Sequence, residues 1–406
     1  MGNLIPRFDV SYDAGAFIDG CLVALAGGQP TTRGLETIFG ERQLIWTGSG
    51  RQALYLMLRA LELRPGAKVA IPLFSSSSVA STVAAAGCQP FFIDVDPRTL
   101  TMDPSEVDRV RSRVAAIVPV HLFGNVADMN GILDAAAGTP VIEDTAQATL
   151  SFWRGRLAGT FGLGSFYSFA SSKCIPAGGG GLAAINDMGL ALRVREMAGE
   201  LVRPGRIASL RSAAMQLAKS ALYSRALYGA LGNRARVASE DRGYLLAKID
   251  SQGIAGSSAA AVRRLAASAG ERMGKQRENS LKLLAWLRNT EGAVLPEERP
   301  GARYGYSLFP VLTASEDERE SVMRTMLKLG VDTSKVHYNS AECAARHGYA
   351  GGCPISESVS RRILTLPNFA SLNPCNLERI ALAFLAGLAD HRASAKRRVN
   401  MEACAV

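Results

Sequence analysis

From about residue 47 to residue 198, strand-length segments alternate with helix-length segments at close spacing, and this alternation restricts the fold more than any other property of the chain. Segments 68–72, 89–95, 115–120 and 140–143 read as strands, with 182–185 as a later one. Segments 53–63, 78–86, 104–113 and 128–137 read as helices between them, and 191–198 follows as another. Strand and helix taking turns predicts an α/β fold with a mainly parallel central sheet.

The pattern changes past residue 200. Between 201 and 250 the chain holds nine Lys or Arg (203, 206, 211, 219, 225, 234, 236, 242, 248) against three acids (240, 241, 250), and 207–231 is helical in character. Residues 257–287 read as one long helix leading into a smaller α+β domain, with strands at 305–312 and 361–367 and helices at 315–329 and 376–389. The expected division is an N-terminal arm (1–40), a large domain (41–200), a basic helical insertion (201–256), a linking helix with a small domain (257–392) and a disordered tail (393–406). A chain of 406 residues, 48% hydrophobic and 20% charged, is long enough for two such cores.

Chemistry concentrates at two points. Segment 140–143 is a buried-strand pattern that runs into Asp144, and Lys173 lies downstream in a loop of small residues that continues into the glycines 178–181. A carboxylate at a strand end followed by such a lysine is what pyridoxal 5′-phosphate (PLP) chemistry needs. The amine holds the cofactor aldehyde as a Schiff base, and the acid keeps the pyridine nitrogen protonated so that the ring accepts electrons. A second point is Gly48-Ser49-Gly50-Arg51, where a glycine-rich turn presents backbone N–H groups at a helix start, suited to a phosphate. His121 reads as a hydrogen-bonded structural residue at a strand end.

These pieces together resemble the sugar-nucleotide aminotransferases of the DegT/StrS type, PLP enzymes of fold type I, from about Ile45 to about Ala389. The resemblance rests on Gly50-Arg51-Gln52-Ala53-Leu54, Pro119-Val120-His121-Leu122-Phe123-Gly124, Ile142-Glu143-Asp144-Thr145-Ala146-Gln147-Ala148, residues 155–159, residues 166–173 and Leu364-Thr365-Leu366-Pro367, in this order. It implies a catalytic Lys173, with Asp144 on the ring nitrogen, Gln147 against the ring, and Ser168, Gly50 and Arg51 at the cofactor phosphate. His337 and Tyr338 match a segment near the substrate mouth. The implied reaction is ping-pong transfer of an amino group, from glutamate by family analogy, to a nucleotide-linked keto-sugar, in a homodimer serving surface-polysaccharide or amino-sugar synthesis. Three departures stand out. Ser75-Ser76-Ser77-Ser78 occupies the region where relatives carry a ring-stacking aromatic. The stretch 253–262 lacks their cross-subunit asparagine, and the glycines 178–181 lack their acid. The alternatives are a sugar dehydratase on the same scaffold, against which the presence of Lys173 speaks, and a catalytically impaired scaffold or sensor.

The net charge of +10 comes with no dense Lys/Arg run interleaved with aromatics, so no nucleic-acid partner is expected; an anionic small substrate fits, and so does anionic lipid touched through 203–245. Seven cysteines without a CxxC pair argue against a zinc site and a disulfide framework and for reduced thiols in the cytoplasm. No apolar stretch is long enough to span a bilayer, and the first residues do not read as a secretory signal. The location expected is cytoplasmic, with peripheral contact at the inner membrane face as the variant.

Overall fold

The computed structural model describes residues 4–27, 30–225, 227–230 and 249–403. Among these, the large domain is built on strands β1 (Gln43–Thr47), β2 (Lys68–Pro72), β3 (Gln89–Ile93), β4 (Ala116–Ile117), β5 (Ile142–Asp144), β6 (Gly164–Ser168) and β7 (Gly181–Ile185). They pair as β3-β2-β4 and as β5-β6-β7-β1. Parallel bridges Ile117–Val141 and Val120–Asp144 join the two groups into one row, 3-2-4-5-6-7-1. Strand β7 alone runs against its neighbours β1 and β6. The continuous part of β4 is two residues of the expected 115–120; Pro119 has no N–H to give to the ladder, and pairing with β5 resumes at Val120–Asp144.

Both faces of this sheet are covered, as a parallel sheet requires. Along β7, Ala183 and Ile185 join an apolar cluster with helices α2 (Gly50–Ala60), α3 (Ser77–Ala85) and α4 (Met188–Gly199). Leu182 and Ala184, pointing the other way by the two-residue period of a strand, join a cluster with α1 (Ala14–Ala26) and α6 (Gly256–Ala267). The basic segment read as an insertion contains α5 (Arg206–Leu222), which packs on α1 and α6. The remainder of its basic stretch, 231–248, lies outside the described residues.

One expectation is given its form and two are corrected. The N-terminal arm is helical over α1, capped by Asp13, whose side chain accepts the N–H of Ala16 at 2.6 Å. The linking segment is two helices, α6 and α7 (Ala269–Leu287), broken at Ser268 (φ −102°, ψ 4°), whose hydroxyl donates back to the carbonyl of Leu265. The tail is described as helix as far as Ala403, continuing the last helix, α9 (Pro374–Ala403), where disorder was expected from 393. Its Ala, Lys, Arg and Met are strong helix formers, which lets an established helix extend.

The small domain pairs β8 (Phe309–Leu312) antiparallel with β9 (Ile363–Leu366) under α8 (Glu316–Lys328) and α9. Its core takes in Ile5, which also bridges Val331, so the start of the chain is fastened to the far domain. No helix among the described residues is long and apolar enough to cross a membrane.

Candidate active site

In an open sheet of this kind, ligands bind beyond the carboxyl ends of the parallel strands. Six of the residues singled out from sequence stand there. Asp144 ends β5, Ser168 ends β6 with Lys173 in the loop after it, and Gly50 opens α2 just past β1. Lys173, Asp144, Gln147, Ser168, Gly50 and Arg51 line a single cavity of about 250 Å³, together with His337, Ser76, Ser78 and Thr82. A second cavity, of about 370 Å³, shares Lys173, Gln147, Ser76 and His337 and adds Arg7, Phe8, Ser307, Lys335, Tyr338 and Asn339. Tyr338 therefore belongs to the outer chamber and not to the inner one.

The phosphate-suited corner is shaped by close backbone approach. Ser49 caps α2 by accepting the N–H of Gln52 at 3.2 Å. A Cβ on Gly50 would lie 3.1 Å from Ser168 Cβ, and one on Gly181 would overlap the backbone of Ser49 at 2.2 Å. Only glycine lets the helix start, the end of β6 and the beginning of β7 meet there.

Two adjacent acids do different work. Glu143 is fully buried and points away from the cavity. It accepts the N–H groups of Gly159, Phe161 and Gly162 at 2.7–2.8 Å and Nε2–H of His121 at 3.0 Å. His121 Nδ1 accepts the N–H of Ala127, which places the ring proton on Nε2 and makes the imidazole a structural clamp. Burial pushes the Glu143 pKa up, but the His121 contact and the backbone donors outweigh it and the net shift is downward. Asp144 is 6% exposed and accepts one backbone N–H, from Ala146 at 2.9 Å. Burial raises its pKa against the pull of that bond and of Lys173. Desolvation lowers the Lys173 pKa against the pull of Asp144. Each group lacks full compensation, and a bound cation facing Asp144 would supply it.

His337 adopts φ 57°, stands edge-on to Phe74 at 5.7 Å, and has a buried Nε2 without a hydrogen-bond partner. Desolvation, then the Lys173 charge, depress its pKa to about 3, so the ring is neutral. Gln147 has its Oε1 occupied by the N–H of Phe123 at 2.8 Å, which turns its amide nitrogen toward the cavities. On the side where a stacking aromatic was missed, the wall is Ser76, Ser78, Val79 and Thr82, and the rings that line the cavity are Phe166 and His337. Sequence reasoning missed Arg7, Phe8 and Lys335 at the outer chamber. Lys335 lies two positions before His337, but nothing in the N-terminal pattern signals Arg7, which is carried in by the Ile5–Val331 bridge and an ion pair to Asp332 at 3.0 Å.

The donor set fits pyridoxal phosphate: an amine whose pKa burial lowers, a buried acid whose charge lacks a full partner, and a hydroxyl beside a helix start, all in one cavity. With the 3-2-4-5-6-7-1 sheet, this defines the PLP-dependent aminotransferase class of fold type I. The chain belongs to the DegT/DnrJ/EryC1/StrS aminotransferase family, whose profile matches residues 32–238. It is 35% identical over 170 residues to the GDP-perosamine synthase of Caulobacter vibrioides, a match covering 41% of this chain and 46% of that protein. It is 29% identical over 381 residues to a dTDP-4-dehydro-2,3,6-trideoxy-D-glucose 4-aminotransferase of Saccharopolyspora spinosa, covering 89% and 90%. The former match thus spans less than half of the relative's length. The fold is that of an aminotransferase from Streptoalloteichus hindustanus, with a TM-score of 0.78 at 22% identity over 96% of this chain and 100% of that one.

Proposed function

We propose that the protein is a PLP-dependent aminotransferase that moves an amino group from an amino acid, glutamate by family analogy, to a keto-sugar carried on a nucleotide. The observation that carries this is the gathering of Lys173, Asp144, Gln147, Ser168, Gly50 and Arg51 around one cavity that opens onto a second, larger chamber. Bound there, PLP supplies an aldehyde that captures amines and a ring that accepts electrons. Lys173 would hold the aldehyde end, Asp144 would pair with the ring nitrogen, and Ser168 with the start of α2 would take the phosphate. Lys173 would also serve as the base at the donor Cα, a role favoured by the burial that lowers its pKa. His337, neutral and with Nε2 unpartnered, serves the wall shared by both chambers as a hydrogen-bonding group. Arg7, paired with Asp332, and Lys335, paired with Glu320, line the outer chamber as donors to which a diphosphate could bind.

An absorption spectrum with PLP, before and after glutamate and beside Lys173→Ala, tests this reading. A visible band that requires Lys173 and is bleached by glutamate supports it; no lysine-dependent band removes it and leaves the scaffold reading. Amino transfer to nucleotide-linked keto-sugars, against free keto-sugars, tests the acceptor. The reading includes a homodimer, checked by sedimentation; a fully active monomer would refute that part. A separable reading concerns α5, where Ile207 is 83% exposed and Met215 is exposed among Arg206, Arg211 and Lys219. This face favours contact with an anionic bilayer. Flotation with anionic vesicles, compared with Ile207→Asp, is the check.

A further inference from the structure

The loop that bears Lys173 is gripped from outside by the insertion. Ser171 Oγ donates to Gln216 Oε1 at 2.7 Å, and Gln216 Nε2 donates to the carbonyl oxygen of Pro176 at 2.9 Å. Residues 171 and 176 flank Lys173, so one amide spans the segment that carries the lysine. Gln216 lies within α5 and is 1% exposed. A buried amide must satisfy its polar atoms, and both of these are spent on the lysine loop. The packing is equally close: Gly178 has φ 82°, and a Cβ there would come within 2.9 Å of Gln216 Oε1. A Cβ on Gly180 would approach Ile254 Cδ1 to 2.5 Å. Where the insertion returns, it also holds the phosphate-suited half of the site. Gln52 on α2 donates to the carbonyl oxygens of Asp250 and Gln252 at 2.6 and 3.2 Å. A helix that merely covered the surface would need none of these bonds.

We propose that Gln216 is a positioning residue for Lys173, and that the basic insertion, through this buried amide and beside a longer, exposed contact from Lys219 Nζ to Ser171 Oγ at 3.4 Å, sets the conformation of the lysine loop. Gln216 touches neither chamber; it acts through Ser171 and Pro176 on the backbone that aims the lysine side chain. The assignment of Lys173 as the reacting amine rests on the function proposed above, whereas the grip on its loop does not.

The test uses the full chain without cofactor, so that its failure and a failure to bind PLP are separate results. Acetylation of Lys173 by acetic anhydride is followed by mass spectrometry as a function of pH, with hydrogen exchange measured over 170–180. Gln216→Leu keeps bulk and loses both bonds. It is expected to raise exchange of the loop amides by about tenfold for each buried bond lost, and to move the Lys173 titration upward as water reaches the amine. Ser220→Ala is the control: on the same helix, Ser220 donates to the carbonyl oxygen of Val10 at 2.6 Å, away from the loop. It is expected to leave both readouts as in the wild type. Should Gln216→Leu not fold, Ser171→Ala removes the contact from the loop side and is read in the same way. An unchanged Lys173 titration and loop exchange overturns the proposal, and so does an equal shift in Ser220→Ala, which would make the effect one of helix docking.

Discussion

Glutamine in place of Glu143 is a conservative exchange in most settings, and the geometry predicts that here it is not. Each carboxylate oxygen takes two donors: Oε1 the N–H groups of Phe161 and Gly162, Oε2 the N–H of Gly159 and Nε2–H of His121. Whichever way the new amide is turned, its NH₂ faces two donors. Two bonds are lost and two buried N–H groups are left without an acceptor. At about 1–3 kcal/mol for each unsatisfied group, Glu143→Gln should cost about 2–6 kcal/mol. Urea denaturation at pH 7, followed by the midpoint shift, measures it. The pH dependence gives a second, independent check. The Glu143 pKa is depressed in the folded protein, so its contribution is present above the unfolded value of about 4.3 and is lost as pH falls through the lower, folded one. Glutamine does not titrate, so the gap between wild type and variant should close in acid. A difference below about 0.5 kcal/mol at pH 7, the range of an ordinary surface change, would refute this account of Glu143. A gap that stays constant down to acid unfolding would refute the charge-based part of it.

Asp144→Asn should separate the two adjacent acids. Because burial raises the pKa of Asp144, its charge opposes folding at neutral pH, so the variant should melt at the same temperature or higher. It should nonetheless bind PLP at least about tenfold more weakly and lose about 10²-fold or more in amino transfer; a lowered melting temperature with intact PLP binding would make Asp144 a mere cap. For His337, whose pKa is depressed to about 3, the unfolded chain takes up the proton first. Stability should therefore fall as pH drops from about 6.5 toward 3. His337→Asn, which tolerates the positive φ, should be less acid-sensitive by about 2 kcal/mol at pH 5. Denaturation at pH 7 and pH 5 checks this, and equal pH sensitivity in both proteins would contradict it.

The inner chamber was legible because its parts are fixed by strand ends. Asp144, Ser168 and Gly50 each sit where a parallel strand stops, and a parallel sheet brings those stops to one edge whatever the intervening helices do. What was not legible came from far away in the chain or from one local competition. Arg7 reaches the outer chamber only because Ile5 pairs with Val331, and no periodicity near residue 7 announces a partner in the other domain. Gln216 reads in sequence as one polar position of a basic helix, since its partners on the lysine loop are set by how the insertion folds back. At Ser268 the helix breaks within a run of helix-favouring alanines, where the Leu265 carbonyl is taken by the Ser268 hydroxyl and by Arg272.

The reversed strand β7 has a consequence for how the site assembles. It makes β6 and β7 a hairpin around the Lys173 loop, a local pairing with little chain to close. Strand β1, which delivers the start of α2, pairs with that same β7 only across the breadth of the domain, with Gln43 opposite Ile185. The lysine loop and Ser168 therefore come together from neighbours in sequence, while the start of α2 joins them only when the most remote strand docks. Fraying would run in the opposite order, releasing the anion grip while the lysine hairpin persists.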